Sequence, residues 1–153
     1  MKRNGITCLA AALLVAWCLP TTAQESGYWR AASSTAQSVT GDVGLSDTRL
    51  LIDFSSFPVA RARDLQAGEV SSVFDVDSNS NGKGHLYGLS IPASKKFMHK
   101  NTLCGTEDTQ WMVTYVSGNT LHLAFFSGQK APVFTLDAIS NSTNLCGTYL
   151  YVR

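Results

Sequence analysis

From Arg49 to Phe54 the chain alternates, placing Leu50, Ile52 and Phe54 on one face and Arg49 and Asp53 on the other. That period of two predicts a half-buried strand with its three large side chains turned to a core. QWMVTYV and TLHLAFF are rich in aromatic and β-branched residues, and the SGN between them is a tight reversal, so the pair predicts a hairpin. In it Leu121, Leu123 and Phe125 face the core, while His122 faces outward or toward a neighbouring strand. Further strands are expected at YWRAA, SVTGDVGL, PVARARDL, EVSSVFDV, HLYGLSI, PVFTL and TYLYVR, separated by Gly, Ser, Asn and Asp clusters. Only ASKKFMHK has a helical stretch, and it is short. The expected fold is all-β, an antiparallel barrel of about eight strands, because closure removes exposed sheet edges; a β-sandwich is the alternative.

Ahead of the strands, Lys2 and Arg3 precede an apolar run from Ile6 to Leu19, and Thr21 and Ala23 are the small residues before a cut. This predicts a signal peptide over 1–23 and one domain over 24–153, exported to the periplasm or beyond the cell. The apolar run falls short of the roughly 20 residues a membrane helix needs, and no later segment reaches that length. Removing Lys2 and Arg3 from the 12 basic residues leaves 10 against 11 acidic ones. A chain so near neutrality is not expected to bind nucleic acid.

Of the four cysteines, Cys8 and Cys18 leave with the leader. Cys104 and Cys146 remain as an even pair in an oxidising compartment, which predicts a disulfide. The rivals are a thiol nucleophile and half a metal site, but neither has CxxC or Cys/His spacing to support it.

DVDSNSNGKG begins like a calcium loop: Asp77, Asn79 and Asn81 alternate and Gly82 follows, with Asp75 just ahead. The twelfth position from Asp77 is Gly88, which offers no carboxylate, so Ca²⁺ would need Asp75, Glu107 or Asp108 to complete its shell. A polar hairpin tip accounts for the same residues and is the favoured reading. Arg61 and Arg63 are placed on one side of a strand, as an anion contact or as a solvated outer face, with Ala60 and Ala62 opposite. His85, His99 and His122 lack zinc spacing, and no GxSxG elbow occurs, so an enzyme is not expected. Trp29, Trp111, Tyr87, Tyr115, Tyr149 and Tyr151 either line a ligand cavity or binding surface, or fill the core of a small barrel, the commoner use.

Gly27, Tyr28 and Trp29 resemble the G-x-W of the first strand in lipocalin-like barrels. That resemblance implies a basic residue of the last strand, here Arg153, packed over the tryptophan. From Trp29 onward, SVTGDV, NTLCG before the aromatic hairpin, LAFFSG and the closing LCGTYLYVR resemble a group of uncharacterised bacterial secreted or periplasmic proteins. This second resemblance implies the Cys104–Cys146 pairing and an envelope location; it implies no activity and no site residues. The expected function is a binding module in the bacterial envelope, of the kind that inhibits or shields against an envelope-targeting enzyme. A lipocalin-like carrier of a small apolar ligand is the alternative. A carrier predicts a continuous cavity lined by aromatics, whereas an inhibitor predicts a filled barrel with one exposed loop or apolar patch.

Overall fold

A computed structural model describes residues 25–77 and 82–153, so the expected signal peptide over 1–23 lies outside the described residues. The elements in order are β1 (Gly27–Ala31), β2 (Val43–Leu45), β3 (Arg49–Ile52), β4 (Ser55–Leu65), α1 (Ala67–Phe74), β5 (Lys83–Ile91), β6 (Thr109–Ser117), β7 (Thr120–Phe126), α2 (Leu136–Ser140) and β8 (Leu145–Val152). Each strand pairs antiparallel with the next, and β8 returns to β1, closing an eight-stranded barrel.

The interior is packed with side chains. Trp29, Leu50, Ile52, Met112, Leu121, Leu123, Phe125 and Tyr151 are each at most 1% exposed and belong to one cluster. A second, smaller cluster sits on the outer wall, where Leu86, Val113, Ala124 and Phe126 are covered by Val73 of α1 and by Phe134. Strands β5 to β7 are therefore buried on both faces, which is why their sequences run apolar with so few breaks. His122 faces this outer layer, half-buried against Phe74 and Tyr115.

Two expected strands are not strands. EVSSVFDV lies mostly in α1: Val70 and Val73 are spaced for one helical face, and a reciprocal cap between Gln66 and Glu69 starts the helix. It ends at Asp75, which adopts a left-handed conformation with φ 53°. PVFTL is a connection that leads into α2, capped where Thr135 Oγ1 accepts from the Ala138 N–H at 3.2 Å. SVTGDVGL contributes only β2; its first half is a π-helical turn over Ala36–Thr40. That turn closes at Gly41, whose φ is 62° and where a Cβ would lie 2.7 Å from Met98 Sδ. Within ASKKFMHK only Met98–Lys100 forms a 3-10 turn. The expected disulfide is present: Cys104, ahead of β6, bonds Cys146 in β8 with a Cα–Cα separation of 4.9 Å.

Candidate functional site

The site begins with a two-residue turn. Ile52 pairs with Ser55, leaving Asp53 and Phe54 to reverse the chain from β3 into β4. Their φ values are 47° and 60°. Two successive left-handed residues suit the twist of a tight hairpin, but they are ordinarily glycine or asparagine. A bulky residue in that conformation costs about 1–2 kcal/mol. The turn also reverses the direction expected for Phe54. Instead of joining Leu50 and Ile52 in the core, its ring stands fully in solvent.

Register supplies the rest. Tyr28 of β1 lies opposite Gly44 of β2, and Gly44 lies opposite Leu51 of β3, so the three form one outward row. Tyr28 is 81% exposed. A Cβ on Gly44 would come within 3.2 Å of both the Tyr28 and Leu51 side chains, so the glycine forms a floor between them. Met98 approaches from the 3-10 turn over Gly41. Together with Asp42, Asp53 and Phe54 these residues line a cavity of about 720 Å³ outside the barrel wall.

A polar cluster lies on the other side of that wall. His85 Nδ1 donates to Glu25 Oε2 at 3.0 Å, and the Tyr87 hydroxyl donates to the same oxygen at 2.7 Å. Thr114 faces the carboxylate with a buried hydroxyl, although neither its Oγ1 nor Glu25 Oε1 has a partner in good geometry. On its far side His85 Nε2 is 3.9 Å from Asp64 Oδ1, which Arg61 holds at 2.7 Å. Trp29 Nε1 donates to the Glu25 carbonyl at 2.9 Å. The cluster thus anchors the segment entering β1. His85 is 7% exposed, so although it stands beside an acid, as proton transfer would require, the pair is occupied within the chain.

Burial opposes the Glu25 charge more than any other single influence. The hydrogen bonds from His85 and Tyr87, with the facing Thr114 hydroxyl and the nearby imidazole, outweigh it and hold the carboxyl below its ordinary value of 4.5. A depressed carboxyl stabilises the fold above its unfolded pKa, and the gain disappears as pH falls through the lower folded value. The melting temperature of the wild type should therefore drop more steeply below about pH 4.5 than that of Glu25→Gln. Parallel melting curves from pH 6 to 3 would refute this anchoring role.

The other expected residues are placed as follows. A bulge falls between Arg61, opposite Tyr87, and Arg63, opposite Leu86, and it puts the two guanidinium groups on opposite faces of β4 rather than on one. Arg61 binds Asp64 near the cluster, and Arg63 makes a two-pronged contact with Glu69 of α1 at 2.8 and 2.9 Å. They do not converge on an anion. Asp75 is the C-cap of α1, Asp77 follows it, and Asn79 and Asn81 lie outside the described residues. Asp108 Oδ1 accepts from the Ala93 N–H. Among the described residues no three His, Cys, Asp or Glu side chains are grouped to hold a metal ion. Of the aromatics, Trp29, Tyr87, Tyr149 and Tyr151 fill the interior, while Trp111 and Tyr115 lie on the wall beneath α1 and α2. Arg153 does pack over Trp29, its Cζ 4.3 Å from the ring centroid.

Comparison with protein-family models, curated proteins and solved structures finds no match for the chain. The functional reading accordingly rests on geometry. Sequence periodicity missed the exposed row because Tyr28, Gly44, Leu51 and Phe54 become neighbours only through strand register and one turn. A signal was there: Asp-Phe occupies a two-residue reversal where Asp-Gly would be expected.

Proposed function

We propose that this protein is a secreted or periplasmic binding module whose partner docks on the outer groove around Phe54. The observation that carries the reading is a large aromatic ring held fully in solvent by a strained turn. Strain of this kind persists where it serves a function, since substitution would readily remove it. Export is supported by the leader sequence and by the Cys104–Cys146 bond, and no helix among the described residues is long and apolar enough to cross a membrane. An inhibitor or shielding protein of the bacterial envelope fits a filled barrel with an exposed apolar patch around Phe54. A carrier of a small apolar ligand is the second reading, favoured by a groove volume within the range of ligand sites.

The test uses two variants as bait against envelope extract and culture fluid. Phe54→Gly places Asp-Gly in the turn and should stabilise the protein by about 1 kcal/mol, the relief of strain exceeding the added chain entropy. That corresponds to a rise of roughly 4 °C in melting temperature. Gly44→Val fills the floor between Tyr28 and Leu51. Both baits should lose a protein that the wild type retains. Retention of that protein by both would refute docking in the groove, and a co-purifying small molecule displaced by Gly44→Val would establish the carrier.

A further inference from the structure

We infer that the occupant of this groove is a cationic apolar segment of a partner protein, with an arginine or lysine beside a large apolar side chain. The inference rests on the proposed docking surface and specifies its chemistry. Among the described residues, the charged groups that line the groove are both carboxylates, Asp42 and Asp53, with no lysine or arginine in the lining. Asp42 is held in place, since its Oδ1 accepts from the Ala31 N–H at 2.9 Å. Asp53 shares the left-handed turn with Phe54, which sets a carboxylate directly beside an exposed aromatic ring. Tyr28 supplies a second exposed ring across the Gly44 floor.

Aromatic faces and carboxylates attract the same ligand class. A guanidinium or ammonium group gains from the ring quadrupole and from the carboxylate at once, and arginine also stacks flat against a ring. The basic residues nearby lie outside the lining. Arg49 donates to Ser56 Oγ at 3.0 Å, and His99 Nδ1 meets the Ser38 carbonyl at 3.0 Å. Because residues 24–153 are close to neutral, selectivity would come from this local pairing rather than from long-range attraction. The apolar neighbour of the cation would rest against Leu51 and Met98, over the Gly44 floor. A neutral small ligand leaves both carboxylates without a counterpart, and a second copy would bring acidic rim against acidic rim.

Three fluorescent capped peptides test this: arginine on both sides of phenylalanine, glutamate on both sides of phenylalanine, and arginine on both sides of alanine. Binding is read as anisotropy at low and high salt, with wild type, Phe54→Gly and the double variant Asp42→Asn/Asp53→Asn. Asparagine keeps the acceptor for Ala31 and tolerates the left-handed turn, so the double variant retains the fold. The arginine–phenylalanine peptide should bind about tenfold tighter than the glutamate peptide, the sum of one cation–ring and one exposed ion-pair contribution, and about tenfold tighter than the alanine peptide, which lacks the apolar side chain to bury. Its advantage over the glutamate peptide should shrink in the double variant, where only the cation–ring contribution remains, and in high salt, and Phe54→Gly should weaken it. If the glutamate peptide binds equally well and still requires Phe54, the cationic partner is refuted while the groove reading stands. Equal binding of the arginine–alanine peptide refutes the apolar component. No Phe54-dependent binding by any peptide overturns both readings, and Phe54-dependent self-association in sedimentation would make the occupant a second copy.

Discussion

Replacing Trp29 with alanine should cost about 4 kcal/mol of folding stability, within the range for removing a buried tryptophan. The ring is wholly buried in the barrel interior, among Val43, Leu50 and Tyr151 of the same cluster. Two further contacts depend on it. Its N–H satisfies the Glu25 carbonyl, and its face carries the Arg153 guanidinium at 4.3 Å. Removing the indole therefore leaves a cavity, unties the segment that carries Glu25, and frees the C-terminal arginine. Arg153→Ala should cost only about 1 kcal/mol, since its stacking partner is retained and the group is exposed. Trp29→Phe should fall between the two, keeping a ring beneath Arg153 but losing the bond to Glu25. Because a domain of this size has only about 5–15 kcal/mol in hand, Trp29→Ala should sit near the folding threshold. Urea titration gives the ordering, and a loss below about 1 kcal/mol for Trp29→Ala would contradict the packing described.

Opening the Cys104–Cys146 bond should cost a similar amount. The two cysteines are 42 residues apart, and a loop of that length restricts the unfolded chain by about 4 kcal/mol in the chain-entropy model. The loop spans β6, β7 and α2, so the bond ties the segment entering β6 to the strand that closes the barrel. The double variant Cys104→Ser/Cys146→Ser should melt well below the oxidised wild type, and reductant should lower the wild type to nearly the same point. A variant that matches the oxidised protein would mean that the reduced chain already keeps these segments together. The two losses should also differ in kind. Trp29→Ala acts on the native core, whereas the disulfide acts mainly through the unfolded state, so only the first should be relieved by a volume-conserving replacement.

Much of the fold is legible in the residue pattern alone. The β6–β7 hairpin, its inward Leu121, Leu123 and Phe125 and the disulfide pair all lie where the residues placed them, whereas the Arg153–Trp29 contact was implied only by the lipocalin-like resemblance. EVSSVFDV misled because eight residues with three valines and a phenylalanine are too short a run to separate the two periods. Its helical state depends on having Leu86 and Val113 to cover, which belong to strands distant in sequence. The site was less legible. Leu51 faces solvent as its alternation requires, but Phe54 continues the inward phase only if the strand continues, and the chain turns there instead.

The sequence by itself determined what is local: strand periodicity, apolar runs, and the parity of the cysteines. Tertiary structure alone decided the outer row of Tyr28, Gly44 and Leu51, the reversal of Phe54, the separation of Arg61 from Arg63, and the meeting of Glu25 with His85. Each depends on register, and register follows from closing eight strands around one filled core. A single turn or bulge moves every following side chain to the other face, and nothing in the neighbouring residues need announce it.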